Sequence, residues 1–358
     1  GCEWGVCVEG KCHCYFGVEG DTCSDLTFDV GMRPAEVGVN VGGIADWSTQ
    51  LTYVDAARSA RHWISQCGTY HCPAWEEHHR SVYTSDQGEV LWLDVAQSAG
   101  TMLLRDHQGT YFGGKYVVLW EGDGVVQLSM DDVVELQRTP GRILIELTPT
   151  TGLNNGLFIR IERQNRLDPV RNIRVVPVAQ EHTYAASPFH PAFLQRLHPF
   201  ASTIRAMDLL ATNHNYQQRW DERVTRRNRT YSIEGVPLED VVLLGNTLAA
   251  NLWLNVPHLA DDEYVEQMAV LVRNQLRPDL NVTVELSNEV WGTLFPGGQY
   301  AREEGVRRNL DSLSTLSSGP GEAALCWIGV RTREIAQVWE RVWGVEEREA
   351  RLTFVVSA

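Results

Sequence analysis

"NLWLNVPHLADDEYVEQMAVLVRNQLRPDLNVTVELSNE", residues 251–289, decides how this chain is built. Its ends are short apolar runs, NLWLNVP (251–257) and VTVELSN (282–288), each of strand length and rich in β-formers. Between them Val265, Met268, Ala269, Val272 and Leu276 recur at helical spacing, while Asp261, Asp262 and Glu263 suit the positive end of a helix dipole. A strand, a helix and a strand joined by short links predict two parallel strands with a crossover helix.

The same alternation extends outward. EVGVNVGG (36–43), STIRAMDLL (202–210) and RLTFVVSA (351–358) are further strand candidates. TYVDAARSARHWISQ (52–66) is expected to follow the first of them as a helix, and a second long helix is expected near 322–343 with Trp327, Ile328, Ile335, Val338, Trp339 and Val342 inward. DSLSTLSSGPGE (311–322), before that helix, reads as an exposed insertion. From about Gly88 to Ala179 the period changes to two. KYVVLWEGDGVVQLS (115–129) predicts a hairpin around Glu121–Gly124, and RILIEL (142–147) and LFIRIER (157–163) predict further strands of an inserted antiparallel β-sandwich.

A parallel sheet is either doubly wound or closed into a barrel. NVGGIADW (40–47) lacks the G-x-G-x-x-G spacing of a dinucleotide loop, so an α/β barrel of the (β/α)8 type, incomplete in this chain, is the expected fold. Functional side chains of such barrels gather at the C-terminal ends of the strands. Those ends carry Asp46 and Trp47; Asp208, Asn213, His214 and Asn215; His258 and Asp261; and Asn288, Glu289 and Trp291.

Five of the eight cysteines lie in CEWGVCVEGKCHCYFGVEGDTC with the spacing C-x4-C-x4-C-x-C-x8-C. A C-x-C without a second close pair suits disulfides better than a tetrahedral zinc site. The run resembles a tenascin-type EGF-like module whose first cysteine would lie before Gly1. The resemblance implies Cys2–Cys12 and Cys14–Cys23 bonds and leaves Cys7 without its partner. Cys67 and Cys72 are expected to close a small loop, with Cys326 buried and free. Disulfides at this density imply an extracellular, secreted protein. Asn228 and Asn281 head Asn-x-Thr triplets that permit N-glycans on that route.

The strand ending in ELSNE (285–289) resembles the fourth strand of clan A glycoside hydrolases, retaining enzymes with (β/α)8 barrels; the wider run LWLNVPHLADDEYV…VELSNEVWGTLF is also similar to large secreted bacterial and algal proteins with hydrolase-like barrels. By that resemblance Glu289 is the general acid/base and Asn288 binds the sugar 2-hydroxyl. Retaining cleavage requires a second carboxyl roughly 5–5.5 Å away. The resemblance puts it on a seventh strand, and only five barrel strands are counted before Ala358. The domain organisation expected is an EGF-like module at 1–25, the first part of a barrel at 26–87, the β-sandwich at 88–179 and the barrel's continuation at 180–358, apparently truncated.

Two functions follow. One is a secreted glycoside hydrolase-like protein acting on or binding polysaccharide, with Glu289 as acid/base and Trp47, Trp253 and Trp291 as possible stacking platforms, although Trp253, within a strand, reads better as core. The other is a non-catalytic extracellular structural or glycan-binding glycoprotein, a building block of a matrix or filament whose partners are further copies or chains. His214 and His258 either bind sugar hydroxyls or satisfy loop carbonyls. Glu285, pointing the same way as Glu289 by strand alternation but deeper, suits a hydrogen-bonded structural role. EEHHR (76–80) and RRNR (226–229) read as solvated charge runs, and no metal or cofactor is expected. A formal net charge of −15 argues against nucleic acid, and no apolar run is long enough to span a bilayer.

Overall fold

The computed structural model describes residues 37–67, 82–94, 96–310 and 319–356, with residue 21 and the backbone of four short strands before position 27. Those four form two antiparallel pairs, β1 (Gly5–Val8) with β2 (Lys11–Cys14) and β3 (Val18–Glu19) with β4 (Asp25–Leu26). The side chains of Cys2, Cys7, Cys12, Cys14, Cys23, Cys67 and Cys72 lie outside the described residues, as does EEHHR. Cys326 is a free thiol, half-buried rather than buried.

The chain divides into two compact units that interleave along the sequence: residues 1–30, 44–196 and 226–233 make one, and 31–43, 197–225 and 234–358 the other. β5 (Gly38–Asn40) belongs to the second unit, and the chain then enters the first.

Two four-stranded antiparallel sheets build the first unit, beside a short pair β7 (Tyr83–Thr84) and β8 (Val90–Trp92). One sheet contains β6 (Ile64–Cys67), β9 (Gln97–Leu103), β11 (Gly124–Ser129) and β14 (Leu157–Gln164) in the order β11-β14-β9-β6. The other contains β10 (Gly114–Glu121), β12 (Val133–Thr139), β13 (Arg142–Leu147) and β15 (Arg171–Pro177) in the order β12-β13-β10-β15. Alternate residues of both sheets meet in one core, with Leu103, Leu157, Ile159 and Ile161 from the first and Val118, Ile143, Ile145 and Val175 from the second. That is the sandwich arrangement that period-two patterning demands.

Three sequence expectations fail in this unit. Residues 52–66 are not a helix: Ala56–Ser59 is a single 3-10 turn and Ile64–Cys67 is strand β6, paired with β9. The cause is Asp55, whose carboxylate caps the turn at the Ala57 amide and also accepts from the Val175 amide of β15, so the segment is tied to the sandwich. The 115–129 segment is not a hairpin either. β10 and β11 lie in different sheets, and the chain crosses between them at Gly122, with φ +83° and its α-carbon so close to the Pro169 carbonyl that no side chain fits. RRNR, finally, is not wholly solvated. Arg229 is buried against the Trp63 ring, 4.6 Å from its centroid, and burial lowers its pKa to about 10.

After α1 (Pro191–Leu197), the second unit resumes with β16 (Thr203–Arg205), α2 (Leu238–Leu248), β17 (Asn251–Val256), α3 (Asp262–Gln275), β18 (Val282–Leu286), α4 (Pro296–Arg307), α5 (Pro320–Trp343), α6 (Val345–Arg351) and β19 (Leu352–Val355). Its five strands form one parallel sheet in the order β5-β16-β17-β18-β19, so each strand adds beside its predecessor. Both edges of the sheet are unpaired among the described residues, and no closed barrel is present in them. No described helix is long and apolar enough to cross a membrane.

The two faces of this sheet differ. Ile204, Leu252, Leu254, Val256, Val282, Val284 and Leu286 are buried on the face that α2 and α5 pack against. Alternation puts Asn40, Arg205, Trp253, Asn255 and Glu285 on the other face. Asp261 caps α3 through its carboxylate at the Tyr264 amide, and Val265, Met268, Ala269 and Val272 are buried beneath it.

Candidate functional site

The polar face of the parallel sheet ends in a hydrogen-bonded cluster around Asn288. Arg205, at the end of β16, is level with Trp253 on β17. Its Nη2 donates to Glu285 Oε2 at 2.7 Å and to Asn288 Oδ1 at 2.9 Å, and its guanidinium carbon lies 5.2 Å from the Trp253 ring centroid. Glu285 Oε2 also accepts from Trp253 Nε1 and from Asn255 Nδ2, each at 2.8 Å. A carboxylate with three charge-matched or neutral donors is fixed in position, which gives Glu285 the structural role expected for it. Asn288 Nδ2 donates to Asn213 Oδ1 at 3.0 Å, so both ends of the Asn288 amide are held and its orientation is set by the network.

The segment carrying this amide has unusual backbone. Ser287 and Glu289 have φ of +51° and +49°, on either side of Asn288. Left-handed non-glycine residues cost on the order of 1–3 kcal/mol each and persist where surrounding contacts over-determine them. Those contacts are identifiable. The Ser287 amide donates to the Val256 carbonyl at 2.8 Å, and Val290 is fully buried. Gly298, in the first turn of α4, lies so close to the Gly292 carbonyl that a β-carbon would overlap it. The strained turn leaves Asn288 buried and turns Glu289 and Trp291 out to solvent, Trp291 being 52% exposed.

His258, just beyond β17, is buried, with its ring edge-on to Tyr216 at 6.1 Å and to Tyr300 at 5.6 Å. Burial lowers its pKa, and its Nδ1 has no hydrogen-bond partner among the described residues. Asp208 accepts from Asn40 Nδ2 at 2.9 Å, which ties the loop after β16 to β5. His214 is exposed and meets Phe295 edge-on at 6.1 Å.

The structure therefore brings Asn288 and Asn213 into contact, and links Asp208 to Asn40. Asp46 and Trp47 belong to the sandwich unit instead. There Asp46 is paired with Arg61 Nε at 2.7 Å, and its carbonyl accepts from the Arg105 amide and from His107, so it is a structural residue; Trp47 is 63% exposed. Of the glycosylation candidates, Asn281 is exposed at the start of β18, whereas the Thr230 hydroxyl of the Asn228 triplet is buried and donates to the Ala60 carbonyl at 2.6 Å. Arg205 and Asn255 join the cluster without being among the residues expected there. The signal was available: each is a polar residue set by alternation on the same face as Glu285. No group of three or more possible metal-ligating side chains occurs among the described residues.

Compared with known proteins, the chain matches no family model, and no curated protein matches it.

Proposed function

We propose that the parallel-sheet unit is a glycoside hydrolase-like carbohydrate site, with Asn288 seating the sugar 2-hydroxyl and Glu289 beside it as the acid/base. The observation that carries this reading is the Arg205–Glu285–Asn288–Asn213 network. It spends buried charge and two strained residues on fixing one amide at the C-terminal end of a parallel strand, with a carboxylate next to it in solvent. Trp291 is the aromatic surface nearest in sequence for a sugar ring. The sequential order of the five parallel strands supports a (β/α)8-type arrangement, because a doubly wound sheet reverses its strand order at a switch point. The EGF-like module, disulfides, N-glycans and secretion belong to the same proposal and rest on the cysteine spacing.

A second reading, a non-catalytic glycan-binding or structural protein of an extracellular assembly, is favoured by one observation. Glu285, the carboxylate nearest to Glu289 along β18, is committed to Arg205, Trp253 and Asn255 and is not free to act as a nucleophile. The hydrolase reading and the glycan-binding form of the second reading both require the sugar seat at Asn288. Calorimetric titration of neutral β-linked oligosaccharides and their 2-deoxy counterparts tests it. Asn288→Ala should weaken the natural sugar about tenfold while leaving the 2-deoxy sugar unchanged, a coupling of about 1.4 kcal/mol. Equal losses for both sugars, or none, would contradict the assignment.

A further inference from the structure

A cavity of about 260 Å³ opens in the same unit, lined by His214, Asn215, Tyr216, Gln217, Glu222 and Glu234. None of Asn288, Glu289 and Glu285 lines it. It shares Asn215, Gln217 and Glu234 with a smaller cavity of about 20 Å³ beneath, room for one water molecule. That inner cavity is lined in turn by Arg223 and by Asn255, whose Oδ1 is buried without a hydrogen-bond partner.

We propose that this cavity is a second, non-catalytic site that binds one pyranose ring of a neutral glycan. Some of the wall groups are already used and others are open. Glu222 is occupied, accepting from the Gln218 and Arg219 amides, and Asn215 is occupied by the Leu210 carbonyl and the Gln217 amide. Gln217 Oε1 accepts from Tyr264, and its amide nitrogen is left to donate. The Glu234 carboxylate is exposed and makes no hydrogen bond among the described residues. Tyr216 is 60% exposed, with no hydrogen bond to its hydroxyl among the described residues and its ring 6.1 Å from that of His258 at 73°.

Those open groups are one carboxylate acceptor, an amide donor, a phenol that both donates and accepts, and an uncovered aromatic face. A sugar ring matches all four, with C–H groups for the aromatic face and vicinal hydroxyls for the carboxylate and amide. An anion fits less well, because Glu222 and Glu234 in the wall repel it. The volume lies just under the roughly 300–1,000 Å³ of drug-sized pockets, which suits a single ring rather than an extended chain. This site does not depend on hydrolysis at Glu289.

Saturation-transfer NMR on the full chain with the methyl glycosides of glucose, galactose, mannose and N-acetylglucosamine tests it. At least one sugar should receive saturation from the protein, Tyr216→Ala should weaken its binding at least tenfold, and Glu234→Gln should weaken it severalfold. Tyr216 is a surface side chain, and Glu234→Gln keeps shape, so neither variant threatens folding. The preference for the natural over the 2-deoxy sugar expected at Asn288 should persist in Tyr216→Ala, which separates the two sites. The proposal is overturned if no sugar gives a signal with the wild type. It is equally overturned if binding survives within twofold in Tyr216→Ala.

Discussion

At the level of single residues, the site is organised by a charge that sequence reading passed over. Arg205 sits inside STIRAMDLL, where its neighbours suggest an ordinary buried strand, yet one of its nitrogens holds both Glu285 and Asn288. Glu285 is 5% exposed, whereas the Arg205 side chain is 22% exposed. Removing one member of a largely buried ion pair leaves the other charge without compensation, which typically costs 3–5 kcal/mol, less where one partner reaches solvent. Glu285→Ala should therefore lower the unfolding free energy of this unit by about 2–4 kcal/mol in urea titration and release the Asn288 side chain. A loss below about 1 kcal/mol would show that the network is not what holds that amide. The Asn288-Glu289 pair itself was legible as a strand end. The left-handed turn around it was not, because nothing in Ser-Asn-Glu-Val requires positive φ until α4 and Val290 pin the segment.

Among the secondary-structure elements, long amphipathic helices and short β-branched strands could be read directly. Residues 262–275 and 320–343 are helical because one stripe of each is apolar, and β17 and β18 are parallel because α3 lies between them. What failed had local cues that tertiary contacts overrode. Ala56, Ala57 and Ala60 favour helix, but Asp55 spends its carboxylate on Val175 of the sandwich, and Ile64 is drawn into β6. Gly122 marked a turn correctly, yet it sends the chain to the opposite sheet rather than back along its own. Gly298 has a more direct link to the site. A methyl group there would meet the Gly292 carbonyl at the base of the turn that carries Asn288 and Glu289. Gly298→Ala should displace that turn and cost at least about 1–3 kcal/mol, the usual penalty for overpacking. Hydrogen exchange should then accelerate at 287–292 and not in the sandwich; unchanged exchange would remove α4 from the account of the site.

For the whole molecule, the interleaved units were only partly legible, since the change of period at Gly88 marks the strands of the sandwich but not the contribution of 44–67 to it. Among the described residues three histidines are buried in the neutral form, and burial lowers the pKa of each: His107, His258 and His190, the last to about 3 while stacked on Phe112. In the unfolded chain each titrates near 6.5. The unfolded state therefore binds more protons below that value, so the stability is complete above pH 6.5 and is lost as pH falls. Each histidine contributes up to about 1.4 kcal/mol per pH unit. Unfolding midpoints should drop between pH 7 and 5, and His190→Asn, which keeps an acceptor for the Ala192 amide, should flatten that drop. An unchanged slope would show that His190 is not buried as a neutral ring.

The central claim is that Glu289 works beside Asn288 on a glycan, and hydrolysis tests it most directly. Neutral β-glycans are incubated with the wild type and with Glu289→Gln, and the released reducing ends are measured. Loss of general-acid catalysis should lower kcat by about 10²–10⁴-fold with the fold intact by circular dichroism. Measurable hydrolysis by the wild type that persists unchanged in Glu289→Gln would contradict the assignment of that residue, and no hydrolysis by the wild type would contradict the catalytic reading and leave the glycan-binding one.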